Sequence, residues 1–245
     1  MTQFIYFELT GNDADKFLQG QITANTASIS DEYLPTAICN LKGRVQFGLW
    51  IRHIADGFGL VLCADLADEF AKHIKKFGAF SKIALSAPQP IYPVIIDERP
   101  SFSFDDMQAD VAWQLLSIAQ GNYWITKDTS EKFQPQELRL HQRGGVAYDK
   151  GCYLGQEIIA RLYFKASPKA YLHRVASVDV EFFATQAEEH HLDVVNAIST
   201  LDGSEALVIA RADVIETLAA NHQLQILPLP TALQADVGRL ANQLS

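Results

Sequence analysis

Apolar and polar positions change their period several times along the chain, and each change marks an element. Residues 4–9 form a strand-like apolar run that stops at Thr10-Gly11-Asn12-Asp13, where turn chemistry offers Asn12 or Asp13 as a helix N-cap. Ala14, Phe17, Leu18 and Ile22 then recur at helical spacing. Strands are predicted at 36–40 and 45–54, joined by the tight connection Leu41-Lys42-Gly43-Arg44, and a third at 58–64 follows the Asp56-Gly57 turn. Asp65 is placed to cap a helix running to Phe77, with Leu66, Phe70, Ile74 and Phe77 on one face and Gly78 closing it.

Further on, 82–86 and 91–97 read as strands, and the Pro/Ser/Asp-rich stretch 98–106 reads as loop. The period does not decide between helix and strand at 111–118. Leu138 and Leu140 fall in an extended piece ended by Gly144-Gly145. Beyond Lys169 come strand-like runs at 171–180, 192–198, 206–209 and 223–227, with helices at 213–220 and 231–244. Hairpins and helices mix without regular βα alternation, so the fold class is α+β rather than a doubly wound sheet.

Composition adds little to this picture and charge adds more. The chain has 245 residues, 48% of them hydrophobic, enough to bury a core without disulfides. No apolar run is long enough for a membrane span, and the N-terminus lacks the pattern of a signal peptide. Cys39, Cys63 and Cys152 are odd in number and widely spaced, which suits a reducing, cytoplasmic setting and gives no metal-ligand spacing. The net charge of −9 is uneven. Residues 175–245 hold most of the excess acid, whereas Lys132, Arg139, Arg143, Lys150, Arg161, Lys165, Lys169 and Arg174 face only Glu137, Asp149 and Glu157 within 132–174. That local positive excess suits an anionic ligand, or is a solvated basic face.

The densest chemistry lies at Gly144 to Glu157, where four glycines surround Cys152 and Lys150 stands two residues ahead of it. Leu154, Ile158 and Leu162 are spaced for a helix beginning near Gly155 and continuing through Arg161. A thiol just before a helix N-terminus, with a lysine nearby, is expected to carry more thiolate than a free cysteine. The residues alone leave a buried structural cysteine open as the other reading. No His or acid stands at a spacing that completes a nucleophilic triad.

The segment Lys150-Gly151-Cys152-Tyr153-Leu154-Gly155-Gln156-Glu157 resembles the K-G-C-Y-x-G-Q-E signature of the YgfZ-like folate-binding proteins, relatives of the glycine-cleavage aminomethyltransferase. The likeness extends to Phe133-x-Pro135-Gln136, Gly144-Gly145 and Ala160-Arg161 around it. It includes Thr10-Gly11-x-Asp13-Ala14-x-x-Phe17-Leu18-Gln19-Gly20-Gln21-x-Thr23, Cys39-Asn40-x-Lys42-Gly43-Arg44 and Trp113-x-Leu115-x-x-Ile118-x-x-Gly121, in order over roughly residues 4–170.

The resemblance implies a GcvT/YgfZ-like multi-domain α+β arrangement, with ferredoxin-like domains and a small, reduced C-terminal β-barrel. On that pattern the first, folate-binding domain takes 1–44 and 107–168, a reduced second domain takes 45–106, and a mostly β domain takes 169–245. It implies tetrahydrofolate or a derivative as cofactor. Trp113 falls at the family's folate-contacting tryptophan and Phe4 at a second aromatic contact, with a core strand residue as the alternative for Phe4. Arg139, Arg143 and Lys150 are candidates for the glutamyl carboxylates, and Gln156 and Glu157 complete the signature.

The acid pair that follows the hairpin in the aminomethyltransferase is replaced here by Phe47 and Gly48, and its pterin-contacting acid by His141. Without those carboxylates nitrogen has no general base, and aminomethyl transfer is not expected. The resemblance therefore points to a folate-binding accessory factor for iron–sulfur cluster assembly or repair. Its clients would be iron–sulfur proteins such as radical tRNA-modifying enzymes, with tRNA involved only indirectly and Cys152 as the working thiol. Direct tRNA binding or modification, and one-carbon transfer to another substrate, are the alternatives.

Overall fold

The apolar runs of the first hundred residues become mainly strands, the central ones covered on both faces. In the computed structural model, which describes residues 3–237, these are β1 (Phe4–Thr10), β2 (Leu34–Cys39), β3 (Val45–Ile54), β4 (Gly57–Cys63), β5 (Ala84–Leu85), β6 (Gln89–Ile96) and β7 (Arg99–Ser103). They form one antiparallel sheet in the order β2-β3-β4-β1-β6-β7, with β5 pairing β1 beside β6. Side chains alternate across it. Phe7 and Phe47 meet Phe70 of α2 (Ala67–Phe77) on one face, each at 5.4 Å between ring centres. Phe4 and Trp50 meet Trp113 of α3 (Asp110–Ala119) on the other, at 5.1 and 6.1 Å. Burial on both faces explains why β3 and β4 read as nearly continuous apolar runs instead of alternating ones.

The remaining helix of this half is α1 (Ala14–Gln19), and α4 (Gln156–Lys165) follows the segment that contains Cys152. A second antiparallel sheet, in the order β11-β8-β10-β9, is built from β8 (Tyr171–Ser177), β9 (Asp193–Thr200), β10 (Gly203–Ala210) and β11 (Gln225–Leu227). Phe182 and Phe183 of α5 (Phe182–Thr185) and Ile215 and Leu218 of α6 (Ala212–Ala220) share a buried cluster with Val175, Ala206 and Val208 of that sheet. The other face contributes Leu172, Val195, Leu207 and Ile209 to the main core. The architecture is α+β.

Several elements differ from the sequence reading. The stretch expected to be loop at 98–106 contains β7, an edge strand where Pro100 is tolerated because only one neighbour needs its hydrogen bonds. Residues 138–140 are not extended: Arg139 adopts a left-handed φ of 55° and a 3₁₀ turn follows at Leu140–Arg143. The undecided segment at 111–118 is helical. The helix expected at 231–244 is a 3₁₀ turn at Thr231–Leu233, and residues 238–244 lie outside the described residues. The division expected after residue 44 falls in the β2–β3 turn, within one continuous sheet, and the one expected at 168/169 falls just ahead of β8. No helix among the described residues is long and apolar enough to cross a membrane.

Candidate functional site

The blocks singled out in the sequence meet around the segment that carries Cys152. Thr23 Oγ1 donates to the Gly145 carbonyl at 2.6 Å, and the Ala147 amide donates to the Thr23 carbonyl at 2.9 Å. This stitching carries the chain to Lys150. The Lys150 ammonium turns inward and donates to the carbonyls of Ile22 (2.8 Å) and Ala24 (2.7 Å), with the Tyr153 ring 4.8 Å beneath it. Burial lowers its pKa to about 8, yet both carbonyls favour the ammonium, so it is charged at neutral pH. Lys150 is thus a buried anchor, and its charge is spent on the interior.

Tyr153 is also buried, whereas Cys152 between the two anchors is exposed. Cys39 and Cys63 are both buried, and burial pushes both thiols up. A structural role in the core therefore belongs to those two, and the surface thiol is Cys152.

Beyond Tyr153 the chain packs onto the β2–β3 turn. Asn40 shapes that turn, its Oδ1 accepting from the amides of Lys42 (2.9 Å) and Arg44 (3.1 Å). Gly155 sits directly on it with φ 79°, and a Cβ there would stand 2.5 Å from the Asn40 carbonyl oxygen. Gly43, at φ 69°, in turn receives Ile158 and Ile159 of α4. Gly151 has nothing within 4 Å of where a Cβ would stand. Gln136 ties the preceding block to α4, donating to the Ile159 carbonyl at 2.7 Å and to the Tyr148 hydroxyl at 3.2 Å.

A row of polar groups lies behind this junction. Arg143 stands 5.3 Å over the Tyr123 ring and donates to Asn122 Oδ1, and burial lowers its pKa to about 10. The hydroxyls of Tyr123 and Tyr153 are buried without a hydrogen-bond partner. Sequence reasoning missed Tyr123 and the carbonyls of Ile22 and Ala24, and named Gln136 only as part of a matching block. The tyrosine stands outside any spacing rule, and a backbone acceptor leaves no signature in a sequence.

No protein-family model matches the chain. It is similar to the tRNA-modifying protein YgfZ of Cronobacter sakazakii, at 24% identity over 92% of this chain and 90% of that protein. The proteins of the same name from Pectobacterium atrosepticum and an Enterobacter species are 26% and 28% identical. Each alignment takes in 69% of this chain, with 66% and 68% of the respective relative. These likenesses to YgfZ proteins cover most of the chain. Among solved structures it is similar to the glycine cleavage system aminomethyltransferase T from Bartonella henselae, with a TM-score of 0.61 and 12% identity over 86% of this chain and 76% of that one. That likeness is one of fold.

The residues expected to hold folate do not gather into one open site. Trp113 is fully buried, its indole donates to the Ser101 carbonyl at 3.0 Å, and Phe4, Trp50, Phe102 and Trp124 surround it. Phe4 is packed by Trp50, Phe102 and Trp113. Both are packed in the core, which is the alternative left open for Phe4. The Arg139 guanidinium is committed to the carbonyls of Leu172 (3.1 Å) and Ala235 (2.8 Å). Gln156 donates to the Lys150 carbonyl at 3.3 Å, and Glu157 is exposed. Arg143 and Lys150 have no carboxylate partner among the described residues, but Arg143 is engaged by Asn122 and Lys150 by two backbone carbonyls. Of the seven residues expected at a folate site, Trp113 and Phe4 are packed in the core and Arg139 and Lys150 are engaged by backbone carbonyls.

The positions of the missing acids are packing positions. Phe47 lies against Phe70 and His73, and a Cβ on Gly48 would stand 2.8 Å from Ile125 Cγ1. His141 is held neutral: burial first, then Arg139, lowers its pKa to about 4.

Proposed function

We propose that this chain is a YgfZ-type accessory factor in tRNA modification that works through Cys152 on iron–sulfur client proteins. The observation that carries this reading is the presentation of Cys152: an exposed thiol fixed between two side chains, Lys150 and Tyr153, that are both turned into the interior. A thiol held this way can meet a partner's surface without unfolding its own scaffold. The names of the relatives supply the tRNA-modification setting, and three cysteines without a disulfide suit a cytoplasmic one.

Folate, as tetrahydrofolate or a derivative, enters from the likeness to an aminomethyltransferase fold. One-carbon transfer is less well supported than an accessory role, because Phe47 and Gly48 offer neither a carboxylate nor room for one. The test is complementation. A strain lacking the gene for this chain is expected to lose methylthiolated tRNA, wild type to restore it, and Cys152→Ala, present at the same level, to fail. Full restoration by the alanine variant would overturn the role of the thiol.

A further inference from the structure

On the outer side of the junction between the β2–β3 turn and the signature segment lies a cleft of about 720 Å³ that the thiol reading does not use. Its walls come from four separate pieces of chain: Leu41 and Lys42 from the turn, Lys72, Lys76 and Phe77 from α2, Glu131 from the loop ahead of Phe133, and Leu154 from the segment that follows Cys152. The volume is that of a small-molecule site.

Its charge runs against that of the chain. Lys42, Lys72 and Lys76 are exposed, and none takes part in an ion pair among the described residues. Of the two acids at the cleft, Glu69 is engaged by Lys127 at 3.0 Å, which leaves Glu131 against three ammonium groups. Its apolar surface is equally unusual. Leu41 is 79% and Phe77 41% exposed, and the Phe77 ring is flanked by His73 at 4.5 Å and by Lys76 at 5.2 Å. An exposed aromatic ring whose face is covered by an exposed lysine, free to swing off it to a phosphate, suits a ligand that is itself both flat and anionic. A base stacks on such a ring while lysines take its phosphate as point charges. An acidic peptide would use the lysines and leave the ring and Leu41 in water.

We propose that this cleft binds a nucleotide, either free or as one residue of a single-stranded RNA. Lys42, Lys72 and Lys76 hold the phosphate, and Phe77 with Leu41 receives the base. This stands apart from the role of Cys152, and the same experiment separates the two.

The purified full chain is titrated at low salt with adenosine monophosphate, a short oligouridylate and unmodified transfer RNA, with inorganic phosphate and oligoglutamate as competitors. Binding of the mononucleotide alone identifies a free nucleotide as the source, and tighter binding of the oligonucleotide or transfer RNA identifies RNA. In either case Lys72→Glu/Lys76→Glu is expected to weaken binding about tenfold or more and to flatten its salt dependence. Phe77→Ala should weaken it without changing the salt dependence. Lys165→Glu on α4 and Cys152→Ala should bind as wild type does. The proposal is overturned if no nucleotide or RNA binds, if the charge-reversed variant binds normally, or if phosphate or oligoglutamate displaces the ligand as well as a nucleotide does.

Discussion

Lys150 is an unusual anchor because it carries a full charge into the interior and meets carbonyl dipoles there, with no carboxylate among the ion pairs of the described residues. Its ammonium is lowered from 10.5 to about 8 by burial. Between those values the unfolded chain keeps the proton that the folded chain has released, so unfolding takes up a proton and stability rises with pH. Relative to Lys150→Met, the wild type is therefore expected to gain stability from pH 8 to 10.5, by up to about 1.4 kcal/mol per pH unit. Denaturant unfolding of the two proteins across that range measures it, and a flat difference would show that the ammonium is not buried as described. The glycines on either side of Cys152 offer a second comparison. Gly155→Ala combines a left-handed backbone with a Cβ against the Asn40 carbonyl, and is expected to lose at least about 1–2 kcal/mol. Gly151→Ala meets open space and should stay within about 0.5 kcal/mol of wild type. Thermal melts of the pair decide whether the segment is docked as described.

At the level of elements, β1 to β4 were legible in the sequence because of their apolar runs, and α2 because its apolar residues recur at helical spacing on one face. The segment at 98–106 was not, since only Phe102 of β7 is buried, and it works by filling the space between Phe4, Trp50 and Trp113. The turn at 138–143 was misread because Leu138 and Leu140 look like an alternating strand. What sets its shape is the long reach of Arg139 to the carbonyls of Leu172 and Ala235, far away in sequence. At the site, the helix after Gly155 follows from local spacing, whereas the outward thiol of Cys152 does not, since the residues alone left a buried cysteine open. Nor does the closure of Trp113, because it depends on a hairpin whose sequence reads as loop. The same closure gives a prediction for β7: Phe102→Ala should open space beside Trp113, cost about 3–5 kcal/mol, and redshift the tryptophan emission as water enters. Unchanged emission would mean that Phe102 is not what covers the indole.

Over the whole molecule, three histidines are set to make the fold acid-sensitive. His73, His141 and His173 are each lowered to about 4, in every case mainly by burial. The unfolded chain takes up these protons near pH 6.5 while the folded chain resists to about 4, so stability is full above 6.5 and is lost as pH falls through that window. The loss should approach about 1.4 kcal/mol per pH unit for each histidine, and denaturation midpoints at pH 7, 6 and 5 would show it. Against that background the molecule is a rigid two-sheet scaffold that keeps two thiols inside and turns one out. Alkylation of the native protein, read cysteine by cysteine in a mass spectrometer, tests this most directly. Cys152 should be modified rapidly while Cys39 and Cys63 react only when the chain unfolds. Protection of Cys152, or labelling of Cys39 at a comparable rate in the folded state, would contradict the account.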